Sequence, residues 1–264
     1  MPSPSSAQTL VLRTADGVRL TAVHLEGPDP ARPIAVVVGH GFSQSTTRPA
    51  TKAVLEALAA HAGVIGIDFR GHGASAGHST VGHHEVLDID AAVRHAHDLG
   101  YVDVVTCGWS MGGSIVLRHA ALHGGVAAVI SVSAVSRWFY KDTKPMRRLH
   151  WVIETRLGRV VARRVLRTRI TNAGWPEQPP ESPVEVIGRI SPTPVLIVHG
   201  DQDHYFPLEH PNALYDAARE PKELWVIEGF AHAESGASPE LLDRIGRHLP
   251  DLVSRGRRSP ADQA

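Results

Sequence analysis

The sequence predicts an α/β fold built on a mostly parallel sheet, and three observations predict it. Six short apolar runs rich in β-branched residues recur along the chain, at 33–39 (PIAVVVG), 63–68 (GVIGID), 102–108 (VDVVTCG), 126–133 (VAAVISVS), 193–200 (TPVLIVHG) and 222–229 (KELWVIEG). Such runs suit strands covered on both faces. Helical patterns separate most of them, at 48–61, 85–98, 111–123, 208–219 and 239–249. Strands that alternate with helices imply crossover connections within one parallel sheet. The alternation breaks once, between Ser133 and Thr193, where about sixty residues are far more than a single crossover needs.

Taken in order, the chain opens on MPSPSS, and residues 1–8 are expected to be a disordered tail. TLVLRTADGVRLTAVHLEG alternates apolar and polar residues about ADG, which predicts a hairpin and brings the strand total to eight. Residues 9–133 and 193–253 form the expected core, with an insertion at 134–192 and a disordered tail at 254–264. Within the insertion, MRRLHWVIETRLGRVVARRVLRT reads as one amphipathic helix. Leu149, Ile153, Leu157, Val161 and Val165 would share one face, and Arg156, Arg159, Arg163 and Arg167 the opposite one. WPEQPPESP then returns the chain in an extended, proline-stiffened form. A helical lid over one end of the sheet is the simplest expectation.

Composition narrows the function classes. The 264 residues carry 27 Lys and Arg against 27 Asp and Glu, a formal net charge of +0, so no global charge draws the chain to nucleic acid. Hydrophobic content of 42% and charged content of 20% are ordinary for a globular protein. MPSPSSAQTL has no basic n-region and no apolar h-region, so no secretory signal is expected. No apolar run approaches the ~18–20 residues of a membrane span, and a cytoplasmic location is the expectation. Cys107 is the single cysteine, which excludes an intrachain disulfide and a thiolate cluster; a buried strand position is its expected role.

The ends of the predicted strands carry the chemistry, as open parallel sheets require. GHGF (39–42) follows the third strand, DFRGHGAS (68–75) the fourth and GWSMGG (108–113) the fifth; HGDQDHYFP (199–207) follows the seventh and EGFAHAES (228–235) the eighth. Serine, aspartate and histidine therefore appear at strand ends, in that chain order. A serine hydroxyl is a weak nucleophile until a neighbouring base takes its proton. Glycines on both sides of Ser110 leave room for a sharp strand-to-helix corner, and the following helix points its N-terminus at developing negative charge.

Gly108-Trp109-Ser110-Met111-Gly112 resembles the G-x-S-x-G nucleophile elbow of the α/β-hydrolase superfamily. The resemblance covers nearly the whole chain. It implies a serine hydrolase with an α/β-hydrolase fold, lidded and similar to esterases and lipases, with Ser110 as nucleophile, His232 as general base and Asp203 as the acid that orients it. Asp201 lies two residues away, but the family's H-G-x-x-D pattern falls on His199, Gly200 and Asp203. The sixth strand end, SVSAVSRW, offers no carboxylate for the variant that carries its acid there. The resemblance also assigns the oxyanion to the backbone N–H groups of Phe42 and Met111. It implies hydrolysis of a carboxylic ester through an acyl-enzyme, with a small-molecule acyl substrate and no cofactor. The same triad serves thioesters, amides or peptides, carbon–carbon bonds and acyl transfer, and the fold also occurs in non-catalytic binding proteins.

Three further features invite readings. His72, His78, His83 and His84 lack the H-x-x-x-H or H-E-x-x-H spacing of a zinc site, so no metal is expected. The resemblance instead assigns Asp68, Arg70, Gly71, Gly73 and Ser75 to a structural D-x-R-G-x-G-x-S turn. Trp138, Phe139 and Tyr140, with Phe42 and Trp109, are candidates for an acyl pocket, or equally for the insertion's own packing core. Between Arg137 and Arg169 eleven cations face two acids, a net +9. That excess is either a solvated helix face or a patch that contacts an acidic lipid surface or anionic ester. Oligomeric state is not encoded in any of these patterns.

Overall fold

The computed structural model describes residues 7–31, 33–175 and 177–257. Eight strands form one sheet: β1 (Gln8–Arg13), β2 (Arg19–Leu25), β3 (Ile34–Gly39), β4 (Gly63–Ile67), β5 (Asp103–Trp109), β6 (Ala128–Val132), β7 (Val195–Gly200) and β8 (Lys222–Ile227). Their order is β1-β2-β4-β3-β5-β6-β7-β8. The opening hairpin is antiparallel and β2 lies antiparallel to β4; the pairings from β4 through β8 are all parallel.

Side chains alternate across each strand, so each buried strand feeds two cores. Ala35 and Val37 of β3 face one core with α2 (Val86–Asp98), α3 (Met111–Leu122) and α7 (Glu209–Ala217), through Ile89, Val93, Ile115, Leu117 and Leu214. Val36 and Val38 face the other, covered by α1 (Pro49–Ala59) and α9 (Pro239–Arg257) through Val54, Leu58, Leu241, Ile245 and Leu249. This double coverage is why the central runs are apolar at most positions.

Both chain ends differ from expectation. Gln8 pairs with His24 in the β1–β2 register, so the strand starts inside the expected tail, while residues 1–6 lie outside the described residues. At the other end α9 continues through Pro250 to Arg257. Leu249, Leu252 and Val253 are buried on both sides of the proline, and an Asp251–Arg255 pair at 2.8 Å supports the last turns. Residues 258–264 of the expected tail lie outside the described residues.

The insertion is not one helix. α4 (Lys144–Glu154) stops at Thr155, whose Oγ1 accepts the Gly158 N–H at 2.9 Å and caps α5 (Arg156–Val161). A π-turn follows at Ala162–Leu166. Gly158 lets the two helices close up: a Cβ there would sit 2.3 Å from the Trp151 carbonyl oxygen. The break rotates the expected apolar face apart. Leu149 and Ile153 line a cavity, whereas Leu157 and Val165 are 65% and 67% exposed. Further on, α6 (Pro183–Val186) and a 3₁₀ turn at Ile187–Arg189 return to the core, where Ile187 and Ile190 are buried. A four-residue helix, α8 (Ala233–Gly236), follows β8. No helix among the described residues is long and apolar enough to cross a membrane.

Candidate active site

The strand ends after β3, β5, β7 and β8 converge. Ser110 sits between β5 and α3 with φ 51° and ψ −113°, a conformation that costs a non-glycine residue of order 1–3 kcal/mol. Its surroundings hold it there. The Ser110 N–H donates to Val132 O at 2.8 Å. Added Cβ atoms would meet the Gly112 oxygen at 2.1 Å from Gly108 and the Gly39 oxygen at 2.2 Å from Gly112, so both flanking glycines are required by close backbone approach.

His232 N-caps α8, and its ring bridges the other two residues. The Ser110 hydroxyl lies 2.9 Å from His232 Nε2, and His232 Nδ1 lies 2.7 Å from Asp203 Oδ2. An Nδ1–H donating to the carboxylate leaves Nε2 free to accept the serine proton. The Asp203 side chain is fully buried, and its Oδ1 accepts the N–H groups of Tyr205 at 2.8 Å and Phe206 at 3.0 Å. Those bonds fix the carboxylate before the imidazole reaches it. Tyr205 stacks on the His232 ring with centroids 4.3 Å apart, and Phe206 meets it edge-on at 5.5 Å. The rival acid, Asp201, is exposed and accepts the Gly229 N–H at 2.8 Å.

Behind Asp203 lie two buried histidines. His199 Nε2 donates to Phe206 O at 2.7 Å, and burial holds its pKa below the usual imidazole range. His210 Nδ1 accepts the Ser136 N–H at 3.2 Å, and burial, helped by Arg137, brings its pKa down to about 4. Both rings are neutral at physiological pH and add no competing charge beside the carboxylate.

A cavity of about 620 Å³ opens above Ser110. Phe42, Met111, Trp138, Phe139, Tyr140 and Phe206 are among its lining residues, with Leu149 and Ile153 from α4. The candidate aromatics serve in both anticipated ways, since Tyr140, Met146, Phe206 and Trp138 also pack together as a small core under the insertion. Trp109 is different. It is fully buried on the opposite side of β5, with Val105 and Cys107, because strand alternation turns it away from the face to which Ser110 belongs. Trp109 therefore does not line the cavity above Ser110. Sequence reasoning also missed Trp175, whose ring stands against Trp138 and Phe139 at 5.3 and 5.1 Å. Its indole N–H donates to Thr80 O at 2.6 Å, an association across 95 residues that no local pattern announces.

The loop after β3 runs beside Ser110, and among the described residues the Phe42 N–H donates no hydrogen bond. Met111 is the first residue of α3, so its N–H has no intrahelical acceptor. Asp68 tightens the neighbouring loop by accepting from the Thr46 N–H at 2.7 Å and the Ala74 N–H at 3.0 Å, and Arg70 pairs with Asp88 and Asp16, each at 2.7 Å. Burial pushes the Asp88 carboxyl up to about 7 against that guanidinium. Of the four histidines in this region, His72 is buried, His78 is exposed, and His83 and His84 stack on each other at 4.1 Å. Cys107 is buried, and desolvation, with Glu234 nearby, pushes its thiol up to about 12.

This fold, with a serine on a strained strand-to-helix corner, defines an α/β-hydrolase. The sequence profile of the serine aminopeptidase S33 family of hydrolases matches residues 31–179, more than half of the chain, and the protein belongs to that family. It is 26% identical over 245 residues to the uncharacterized protein YfhR of Escherichia coli K12, covering 89% of this chain and 76% of that one. Among solved structures it superposes on the esterase Pf2001 of Pyrococcus furiosus with a TM-score of 0.73 at 21% identity, covering 94% of this chain and 92% of that one. Est1E of Butyrivibrio proteoclasticus, solved with ferulic acid, gives a TM-score of 0.66 at 22% identity, covering 93% of this chain and 100% of that one.

Proposed function

We propose that this enzyme hydrolyses carboxylic esters with apolar acyl or aromatic groups. The observation that carries the reading is the continuous line from Ser110 Oγ through His232 to Asp203, at 2.9 and 2.7 Å, under an apolar cavity. Ser110 attacks the ester carbonyl as His232 takes its proton, and Asp203 stabilises the resulting imidazolium. The Phe42 and Met111 N–H groups receive the oxyanion, an interaction for which losing one donor costs ~10²–10³ in turnover. His232 then protonates the leaving alcohol, and water repeats the sequence to release the acid.

Amide cleavage by the same triad is the second reading, prompted by the family's aminopeptidase name. An aminopeptidase needs an anion to hold the substrate's amino group. Glu154 and Glu177 both line the cavity; Glu154 is committed to Lys141 at 2.7 Å and His150 at 2.7 Å, whereas Glu177 is exposed and is the carboxylate that an amino group would meet. A panel of chromogenic esters of increasing acyl length, with aminoacyl anilides alongside, tests the choice. Esters should turn over, and Ser110→Ala should lower the rate by ~10⁴–10⁶. Anilide turnover without ester turnover would replace this reading with the second.

The reading extends to the insertion, which acts as a lid whose outer face meets an anionic lipid surface. Lys144, Arg148, Arg156, Arg163, Arg164 and Arg167 are exposed, and their side chains hold no ion pair or hydrogen bond among the described residues. Trp151, Leu157, Val160 and Val165 stand exposed among them. Cations interleaved with exposed apolar groups fit a lipid headgroup layer better than a purely solvated face.

A further inference from the structure

Glu234 is a buried carboxylate that the triad does not use. It lies two residues beyond His232, is 5% exposed, and reaches back to the loop after β3, where Oε1 accepts the Gly41 N–H at 2.6 Å. Gly41 runs between this carboxylate and the nucleophile. A Cβ added there would lie 3.1 Å from Glu234 Oε2 and 3.4 Å from Ser110 Cβ.

The other side of Gly41 is held as firmly. Its carbonyl oxygen accepts from His40 Nδ1 at 2.8 Å and from the Gln44 N–H at 3.1 Å. His40 Nε2 accepts the Phe69 N–H at 3.1 Å, which requires the ring proton on Nδ1. Burial, with His72 nearby, brings the His40 pKa down to about 3, so the ring stays neutral and keeps that tautomer. The Gly41 carbonyl and the Phe42 N–H belong to one planar peptide and point in opposite directions. Fixing the carbonyl aims the Phe42 N–H; fixing the Gly41 N–H stops the preceding peptide from turning and carrying the loop with it.

We infer that Glu234 is a positioning residue for the oxyanion site: by accepting the Gly41 N–H it locks the His40–Gly41–Phe42 loop so that the Phe42 amide stays presented beside Ser110. The inference rests on the assignment of Phe42 as an oxyanion donor. It gives the His232 segment a second task, since one short stretch carries the base and braces the loop that receives the charge. Burial pushes the Glu234 carboxyl above its ordinary range, and a glutamine keeps both the shape of the side chain and an oxygen to accept the Gly41 N–H.

The test compares Glu234→Gln, which keeps an acceptor oxygen, with Glu234→Met, which keeps the volume and removes it. Glu234→Ala serves if the methionine variant does not fold, as judged by circular dichroism and thermal midpoint. For an ester substrate, Met should lower kcat by ~10²-fold with KM little changed, and Gln should stay within about fivefold of wild type. The rate of Ser110 labelling by a fluorophosphonate, read in parallel, should fall in the same order, and it carries the comparison even if esters are not the substrate. Unchanged kcat and labelling in the folded Met or Ala variant would overturn the inference. So would a Gln variant as slow as Met, or a loss confined to KM.

Discussion

Ser110 keeps a backbone conformation that its own residue type disfavours, and the reason is visible in its neighbours. Gly108 and Gly112 let three backbone segments close to distances that any side chain would forbid, and the corner cannot relax without separating them. That much was legible, because glycine at both positions around a serine, after an apolar run, is a local signal. Asp203 was also legible, through its place after β7 in the H-G-x-x-D pattern. Glu234 was not, since its partner Gly41 lies 193 residues away. Ser133 at φ 51° gave no sign either, because nothing in SVSAVS asks for a left-handed residue. The buried histidines make a prediction at this scale. His210 is held neutral, its pKa lowered from about 6.5 to about 4, by burial first, with Arg137 and His199 lowering it further and Asp203 opposing. A lowered imidazole pKa stabilises the fold fully above about 6.5, and that contribution is lost as pH falls through about 4. The urea midpoint of the wild type should therefore drop between pH 7 and about 4.5 more steeply than that of His210→Asn, which retains an acceptor for the Ser136 N–H. Parallel pH profiles would contradict this assignment.

At the scale of elements, strand positions were read to within about two residues, because coverage on both faces leaves the central runs largely apolar, and β8 at the sheet edge was found from its apolar stretch at 224–227. Helix α9 was read too short, since Pro250 signals a stop only where nothing buried lies beyond it, and here Leu252 and Val253 do. The insertion was misread for the converse reason. Its apolar spacing continues across Thr155, but that threonine can cap a new helix, and Gly158 permits the sharp approach. One side of α4 lines the cavity through Leu149 and Ile153, while the outer side of α4, α5 and the π-turn gathers exposed apolar groups and cations that are unpaired among the described residues. Co-sedimentation should find the protein on phosphatidylcholine vesicles only when phosphatidylglycerol is included, and raised salt should release it. Replacing Lys144, Arg148, Arg156, Arg163, Arg164 and Arg167 by Gln should abolish the binding. Equal partition onto both vesicle types would remove the cations from the account, and binding to neither would leave the face a solvated one.

At the scale of the molecule, the sheet order delivers four strand ends to one place. Parallel pairing from β4 to β8 puts every one of those carboxyl ends on the same edge, so residues 42, 110, 203 and 232, scattered along the chain, become neighbours. Helices on both faces hold the strands, and residues of the insertion line the cavity together with Phe42, Thr80, Val81 and Phe206. The central claim is that this arrangement makes Ser110 a nucleophile. The most direct measurement is exposure to a fluorophosphonate followed by mass spectrometry of the digested protein. The account predicts one phosphonate per chain, on the peptide containing Ser110, abolished by Ser110→Ala and strongly slowed by His232→Ala. An unlabelled wild-type Ser110, or labelling that persists undiminished in Ser110→Ala, would contradict it.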